Sequence, residues 1–205
     1  MVAIDLYIDP VCPFGWVSAQ WLLDAARETN RLVTLRQMSL AVLNEGADID
    51  TRHQSMIDRS RRLGRLFTAV TEQYEPEGFT RLYRAVGTSI HVRREEITPE
   101  AITDMLLALG MDRSLAKTLD DNELDEAVAR AHDASQQALG GRGGSPIIAI
   151  NGHAFFGPVL TRVPDRKQGA ALLDALIAVA GTPGFAVLQR PYSGPPVTDE
   201  PAHNN

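Results

Sequence analysis

The chain has 205 residues, of which 44% are hydrophobic, and a formal net charge of −6. This length is enough for one domain with a full core, and the acidic balance excludes nucleic acid as the main partner because phosphate binding needs concentrated Lys and Arg. No apolar stretch is long enough to span a bilayer and no secretory leader is visible, so we expect a cytoplasmic protein without a membrane partner.

The first predicted unit is a strand, a helix and a second strand, at residues 2–8, 13–29 and 31–38. A helical connection of this length favours a parallel pair of strands with a right-handed crossover. Cys12, the only cysteine, lies between the first strand and the helix, and Pro13 occupies the first helical position without losing a hydrogen bond. The free N–H groups and positive dipole of a helix N-terminus favour a thiolate. We therefore expect a reactive thiol, although a free cysteine is more often a buried structural one.

The middle of the chain changes to helical spacing. Apolar residues recur every three to four positions through most of residues 45–139, and Thr98-Pro99-Glu100 has the composition of a helix start. A glycine-rich break at residues 140–144 ends this pattern. Two short apolar strands follow at 147–150 and 154–156, joined by the hairpin signal Asn151-Gly152, and an amphipathic helix is predicted at 165–180.

These elements predict an α/β fold in two parts. Residues 1–44 and 140–185 form the core, and residues 45–139 form an all-helical insertion within it. The remaining residues, 186–205, are rich in Pro, Gly and polar side chains. We expect them to form a flexible tail, disordered from about residue 193 onward.

The order of elements resembles a thioredoxin-like fold with an inserted helical subdomain, the DsbA-like form. Two motifs add to the resemblance: residues 9–16, Asp-Pro-Val-Cys-Pro-Phe-Gly-Trp, are similar to the active-site signature of that family, and Gly144-Ser145-Pro146 is similar to its cis-proline loop. Other blocks resemble the actinobacterial mycothiol-dependent nitroreductase and disulfide oxidoreductase group. These blocks are Met38-Ser39-Leu40-Ala41, Leu43-Asn44, Gly87 with Ile90-His91, Asn151-Gly152 and residues 155–160.

The resemblance implies a catalytic turn made of Cys12, Pro13, Phe14 and Gly15. Redox-active members carry a Cys-x-x-Cys signature there, and Gly15 stands at the position of the second cysteine. A single thiol can attack a disulfide but cannot resolve the product within its own chain. We therefore expect a monothiol thiol–disulfide oxidoreductase that uses an external thiol, mycothiol or glutathione, as co-substrate. Its substrate is a small-molecule or protein disulfide, and no tightly bound cofactor is expected.

Five more residues are candidates for substrate binding. The family resemblance implies a cis Ser145–Pro146 bond beside the cysteine, whose backbone pairs with an extended thiol substrate. Trp16 either lines a substrate cleft or packs in the core, and His91 either acts at the mouth of the site or is a packing residue. Asp9 either relays protons or caps backbone N–H groups of the following turn, and we favour the cap. The histidines and the cysteine show no metal-ligand spacing.

Two other functions remain open at this stage. One is an isomerase or transferase related to the kappa-class glutathione transferases and hydroxychromene-carboxylate isomerases, which share the inserted fold and bind an external thiol. The other is a non-catalytic binding module that kept the fold and lost the chemistry, since function depends on the site rather than on the fold. A homodimer is a further expectation for any of the three.

Overall fold

The computed structural model describes residues 2–198. Its core is a four-stranded sheet made of β1 (Ile4–Ile8), β2 (Val33–Gln37), β3 (Ile147–Ile150) and β4 (His153–Phe156), in the order β2-β1-β3-β4. β1 is parallel to β2 and antiparallel to β3, and β3 is antiparallel to β4. The DsbA-like thioredoxin fold expected from the sequence is therefore confirmed.

Two helices flank the sheet. α1 (Pro13–Glu28) connects β1 to β2, and α6 (Arg166–Ala180) closes the core after β4. Trp21 of α1 is fully buried, and its indole N–H donates to the Gly169 carbonyl of α6 at 2.9 Å. Burial of a large aromatic ring with its polar atom satisfied stabilises this helix pair. Trp21 is thus a core residue far along α1 from the catalytic turn.

The hairpin between β3 and β4 follows from its two turn residues. Asn151 and Gly152 have φ angles of +51° and +83°. A two-residue hairpin turn of this kind needs positive φ at both positions, which asparagine tolerates and glycine adopts freely. The turn sets the register in which Ile148 lies opposite Phe155.

Between the two halves of the core, the regular elements are all helical. They are α2 (Leu40–Leu43), α3 (Thr51–Gly87), α4 (Pro99–Ala108) and α5 (Asp125–Leu139), with a π-helical turn at Thr88–Arg93 and 3-10 turns at Arg113–Asp120 and Asn122–Leu124. α3 is kinked at Glu75, whose φ is +58°, because the next residue, Pro76, has no N–H to donate and clashes with the preceding turn.

The tail differs in part from its predicted disorder. Residues 199–205 lie outside the described residues, but residues 196–198 pack against the core although they have no regular secondary structure. Pro196 is buried, and the Val197 N–H donates to the Thr161 carbonyl at 2.8 Å. Composition alone misses this docking because the contacts join segments far apart in the chain.

Candidate active site

Cys12 is the N-cap residue of α1, immediately after the turn that follows β1. Its Sγ accepts a hydrogen bond from the Gly15 N–H at 3.3 Å, as the free N–H groups of a helix N-terminus allow. The thiol also donates to the Ser145 carbonyl at 3.3 Å. Pro13 occupies the first helical position, where no hydrogen bond is lost. The cysteine is therefore held from two sides, by its own helix and by the loop before β3.

Burial changes the acid strength expected of this thiol. Cys12 is only 6% exposed, and burial raises its pKa above the ordinary value for cysteine. The negative charge of Asp9 raises it further, while hydrogen bonds from the Gly15 N–H, the Ser145 side chain and the Phe14 N–H lower it. Desolvation is the largest of these effects, so burial opposes the acidification that the sequence predicts at the helix N-terminus.

Ser145 connects the cis-proline loop to the catalytic turn through both of its oxygens. The Ser145–Pro146 peptide bond is cis. Besides the carbonyl contact to the thiol, the Ser145 hydroxyl accepts a hydrogen bond from the Asp9 N–H at 3.1 Å. A Cβ added to Gly15 would come within 2.8 Å of Ser145 Oγ. The serine hydroxyl therefore fills the space that a side chain at position 15 requires.

Asp9 is a structural anchor in this arrangement. It is 1% exposed, and its carboxylate accepts hydrogen bonds from the Val11 N–H at 2.9 Å, the Leu40 N–H at 2.7 Å and the Ser60 hydroxyl at 2.5 Å. Burial raises its pKa, and the three hydrogen bonds oppose that rise. Its oxygens are turned toward the protein, so the structure corrects its prediction as a substrate-binding residue and supports the backbone cap.

His91 lies in the π-helical turn and contacts the catalytic turn from the insertion side. It is 7% exposed, and its Nε2 is 2.9 Å from the Pro10 carbonyl, so this nitrogen carries the hydrogen and donates it. Burial lowers the pKa of His91 to about 4, which leaves the ring neutral at pH 7. The ring stacks on Trp16 at a centroid distance of 5.6 Å. These contacts are those of a packing residue rather than of a general base.

Trp16 of α1 is 5% exposed and packs against residues of the insertion. One face lies on Gly87, where an added Cβ would meet Trp16 Cζ3 at 2.2 Å. Its indole N–H donates to the Thr198 carbonyl at 3.4 Å. The predicted substrate cleft along Trp16 is therefore occupied here by residues of the same chain.

Sequence reasoning missed two features near the cysteine. The first is Tyr83 of α3, which is fully buried and whose hydroxyl has no hydrogen-bond partner in the part of the chain that is described. Burial raises its pKa well above that of tyrosine, and the charges of Cys12 and Asp9 raise it further. In sequence Tyr83 is simply one apolar position of a helical stripe, so no local signal distinguishes it.

The second missed feature is the segment of residues 191–198, which we call the strap. The Tyr192 ring packs edge-on against Phe14 at 5.4 Å, and the Thr198 hydroxyl donates to the His91 carbonyl at 2.7 Å. The strap thus touches both the catalytic turn and the insertion. Its Pro-rich composition is typical of a disordered tail, which is why sequence analysis assigned it no role.

Metal binding and membrane insertion have no counterpart in the described residues. Within residues 2–198, no group of three or more His, Cys, Asp or Glu side chains is arranged to hold a metal ion. No helix in the same range combines the length and hydrophobicity needed to cross a bilayer.

Comparison with known families decides the relationship. Residues 11–190 match the Rv2466c-like family, described as mycothiol-dependent nitroreductase Rv2466c. The chain belongs to the Rv2466c-like family. The matched range includes Cys12 and the cis-proline loop, and it ends one residue before the strap. Membership relates the chain to a family of oxidoreductases and confirms the relationship that the sequence motifs indicated.

A curated relative and several solved structures share this architecture. The uncharacterized protein Rv2286c of Mycobacterium tuberculosis is 27% identical over 199 residues, 94% of this chain and 84% of the relative. The cytosolic disulfide reductase DsbM from Pseudomonas aeruginosa, solved with GSH, has a TM-score of 0.56 at 14% identity, covering 86% of this chain and 99% of that one. These structural matches establish the fold of this Rv2466c-like protein.

Two other solved structures show how widely the fold is used. DsbA of Chlamydia trachomatis has a TM-score of 0.58 at 12% identity, covering 88% of this chain and 89% of that one. A 2-hydroxychromene-2-carboxylate isomerase has a TM-score of 0.57 at 15% identity, covering 85% and 94%. A disulfide reductase and an isomerase thus share this fold, so the chemistry must be argued from the site.

Proposed function

We propose that this protein is a thiol–disulfide oxidoreductase that works through Cys12 alone and uses an external low-molecular-weight thiol, with mycothiol favoured by its family. The observation that carries the proposal is the position of the Cys12 sulfur. It lies between the Gly15 N–H and the Ser145 carbonyl, each at 3.3 Å, at the N-terminus of a helix. One contact favours the thiolate and the other the thiol, as a group that cycles between both forms requires.

The proposed reaction runs through three thiol–disulfide exchanges. The Cys12 thiol first releases its proton to solvent, and the thiolate attacks one sulfur of a substrate disulfide. The substrate S–S bond breaks, a mixed disulfide with Cys12 forms, and the other half leaves as a thiolate. An external thiolate then attacks the substrate-derived sulfur of the mixed disulfide, which regenerates the Cys12 thiolate. A second external thiol completes the reduction by releasing the remaining half and forming the disulfide of the external thiol.

The residues around Cys12 have distinct parts in this scheme. The Gly15 N–H stabilises the thiolate by a hydrogen bond to charged sulfur. The Ser145 carbonyl accepts the S–H hydrogen and so stabilises only the protonated form. Pro13 and Phe14 fix the start of the helix and border the sulfur. Pro146 holds the loop that presents the Ser145 backbone to Cys12 and, once the thiol ionises, to an extended substrate.

The first experiment is detection of the mixed disulfide by intact mass. Because Cys12 is the only cysteine, every thiol adduct of the chain reports on it. The protein is incubated with mycothiol disulfide or glutathione disulfide across pH 6–10, with Cys12→Ser as the control. We expect an adduct on the wild-type chain and none on the variant, with mycothiol reacting faster. Absence of an adduct at every pH with both disulfides would exclude the monothiol mechanism.

A second candidate function is supported by two specific observations. Gly15 replaces the resolving cysteine and Cys12 is buried with a raised pKa, both of which fit an isomerase or transferase that binds a thiol without exchanging disulfides. The Cys12→Ser variant of such an enzyme keeps its activity, whereas the Cys12→Ser variant of an oxidoreductase loses it. A binding module shows neither turnover nor an adduct.

Two finer parts of the proposal, the nitroreductase activity and the location, rest on the relatives. The family is named for nitroreduction. In this reaction two thiols are oxidised to a disulfide, a nitro group is reduced to a nitroso group, and one water is released. Consumption of a nitroaromatic compound with mycothiol tests this activity. A cytoplasmic location is supported by the cytosolic Pseudomonas reductase of the same fold. A homodimer stays a prediction, and light scattering of the purified protein tests it.

A further inference from the structure

The strap crosses the site from one side of Cys12 to the other. At one end the Tyr192 ring packs on Phe14, two residues after the cysteine. At the other end the Thr198 hydroxyl donates to the carbonyl of His91, whose ring is hydrogen-bonded to the Pro10 carbonyl, two residues before the cysteine. Both flanks of the nucleophile are therefore tied to the same short segment.

The Thr198 carbonyl accepts a hydrogen bond from the Trp16 indole N–H. The distance of 3.4 Å is near the upper limit for a hydrogen bond, so the bond is weak. Trp16 is otherwise buried against Gly87 and the His91 ring, so its N–H is a donor fixed in direction. The acceptor that it uses belongs to a segment without regular secondary structure, 182 residues away in sequence.

A second donor, the hydroxyl of Tyr83, lies on a ring that packs beside Trp16. The Tyr83 ring centroid is 5.9 Å from that of Trp16, and its ring is held in a stack with Phe79 at 6.0 Å. Its hydroxyl is fully buried and has no partner within residues 2–198. A buried polar group without a partner is rare and costly, so one that is held rigidly beside a nucleophile points to a group that arrives from outside.

The strap is held loosely enough to be displaced. Residues 191–195 are exposed, and within residues 2–198 the strap is held by one ring contact, one buried proline and three hydrogen bonds. Individual hydrogen bonds contribute about 1 kcal/mol in water, and an ordered tail loses backbone entropy for every residue that it fixes. A ligand of moderate affinity is therefore able to compete with it.

We propose that the space under the strap is the binding subsite for the amide portion of a cysteine-derived thiol, and that the Thr198 carbonyl occupies the position of the substrate carbonyl. A substrate displaces the strap, presents one amide carbonyl to the Trp16 indole and a second acceptor to the Tyr83 hydroxyl, and brings its sulfur to Cys12. Residues 191–198 are thus an intramolecular competitor of the substrate. The assignment of the ligand as a thiol rests on the proposed function.

Access to the cysteine gives the first test. The full chain, a chain that ends at Arg190 and a chain that ends at Thr198 are alkylated with iodoacetamide at pH 7. The chain ending at Arg190 lacks the strap, so its Cys12 regains solvent and we expect alkylation to be several-fold faster. The chain ending at Thr198 keeps the strap and should react like the full chain. Equal rates in all three chains would overturn the proposal.

A single-residue variant covers the case in which the shorter chain does not fold. Thr198→Val removes the hydroxyl bond to the His91 carbonyl and keeps the shape of the side chain. Thr182→Val removes an equivalent bond, to the Ala178 carbonyl at 2.8 Å, at the exposed end of α6. Faster alkylation in the first variant alone supports the strap, and no difference between the two variants counts against it.

The ligand is tested with an unreactive probe, S-methylated N-acetylcysteine amide. The chain has two tryptophans, so the Trp21 indole, bonded to Gly169, is an internal control for the Trp16 indole signal in ¹H–¹⁵N NMR. We expect the Trp16 signal alone to move when the strap is deleted and again when the probe is added. The probe should bind the strap-free chain several-fold more tightly than the full chain. Movement of neither signal with the probe would overturn the subsite.

Tyr83→Phe tests the second donor, with Tyr7→Phe on β1 as its control. We expect Tyr83→Phe to weaken binding of the probe several-fold. The melting temperature should not fall, because the Tyr83 hydroxyl makes no hydrogen bond within residues 2–198. Unchanged affinity would remove Tyr83 from the subsite. None of these readouts needs turnover, so a chain that takes no disulfide adduct but still binds the probe would contradict the oxidoreductase and leave the subsite standing.

Discussion

The hydroxyl of Ser145 lies where a side chain at position 15 begins, since an added Cβ on Gly15 would be 2.8 Å from Ser145 Oγ. The same hydroxyl accepts a hydrogen bond from the Asp9 N–H, so it is not free to rotate away without loss. A cysteine at position 15 therefore requires the Ser145 hydroxyl to move and to lose its bond to the Asp9 N–H.

We therefore predict strong coupling between positions 15 and 145. Gly15→Cys should lower the free energy of unfolding by about 1–3 kcal/mol, the usual cost of overpacking a buried site. Ser145→Ala removes the obstructing oxygen, so the double variant should lose less stability than the sum of the single variants. Urea denaturation of the four proteins measures this. Simple additivity would show that Ser145 does not obstruct position 15.

The thiol of Cys12 is predicted to react slowly at neutral pH. Burial raises its pKa, so the thiolate fraction of the folded chain near pH 7 is smaller than that of an exposed cysteine. The alkylation rate should be lower for the folded chain than for the same chain in guanidinium chloride, and it should keep rising above pH 8.5. A folded chain that reacts faster than the unfolded one at pH 7 would contradict this prediction.

His91 is predicted to make stability depend on pH below neutrality. Its folded pKa of about 4 lies below the ordinary 6.5, so the unfolded chain binds the extra proton first as pH falls. The stability present above pH 6.5 is therefore lost between 6.5 and 4, and at pH 4.5 the loss amounts to about 2 kcal/mol.

The measurement is the free energy of unfolding at pH 7 and pH 4.5 for the wild type and His91→Gln. Glutamine keeps a donor for the Pro10 carbonyl but does not titrate, so the variant should lose less stability on acidification. His53→Gln, at an exposed position beside Asp50, is the matched control and should behave like the wild type. An equal loss in the wild type and His91→Gln would show that His91 does not cause the dependence.

Gly87 is predicted to be intolerant of alanine. A Cβ added at Gly87 would meet Trp16 Cζ3 at 2.2 Å. The Trp16 ring cannot easily move away because it also stacks on the ring of His91. Gly87→Ala should therefore lower the melting temperature clearly, with a cost of about 1–3 kcal/mol. Gly181→Ala at the end of α6, where the nearest atoms lie at 3.7 Å, is the control and should be nearly neutral. Similar melting temperatures for the two variants would contradict the close packing of Trp16.

Much of the fold was predictable because its signals are local. The strand–helix–strand unit, the hairpin at Asn151-Gly152 and the final helix all follow from hydrophobic period, proline position and turn residues within a few positions of one another. The bounds of β1 and α1 differ from the predicted ones by two residues or fewer. The cysteine at the helix N-terminus follows from the same local pattern.

The site was predictable only in its parts. Sequence placed Cys12, the proline loop and His91 together through a family resemblance, and the structure places them in one cluster. Asp9 caps a backbone N–H group of the following turn, which is the role that the sequence favoured over proton relay. Trp16 is buried rather than open to a cleft. Tyr83 had no signal, because the same helical spacing marks every apolar position that faces a core.

By itself the sequence determined the order of elements, the fold and the single thiol at a helix N-terminus. Only the tertiary structure decided the pKa of that thiol. Desolvation depends on every segment packed around the sulfur, and it outweighs the local helix dipole. The strap depends on tertiary structure for the same reason. Its contacts with Phe14, Trp16 and His91 span more than 100 residues each, and no local pattern encodes a contact at that separation.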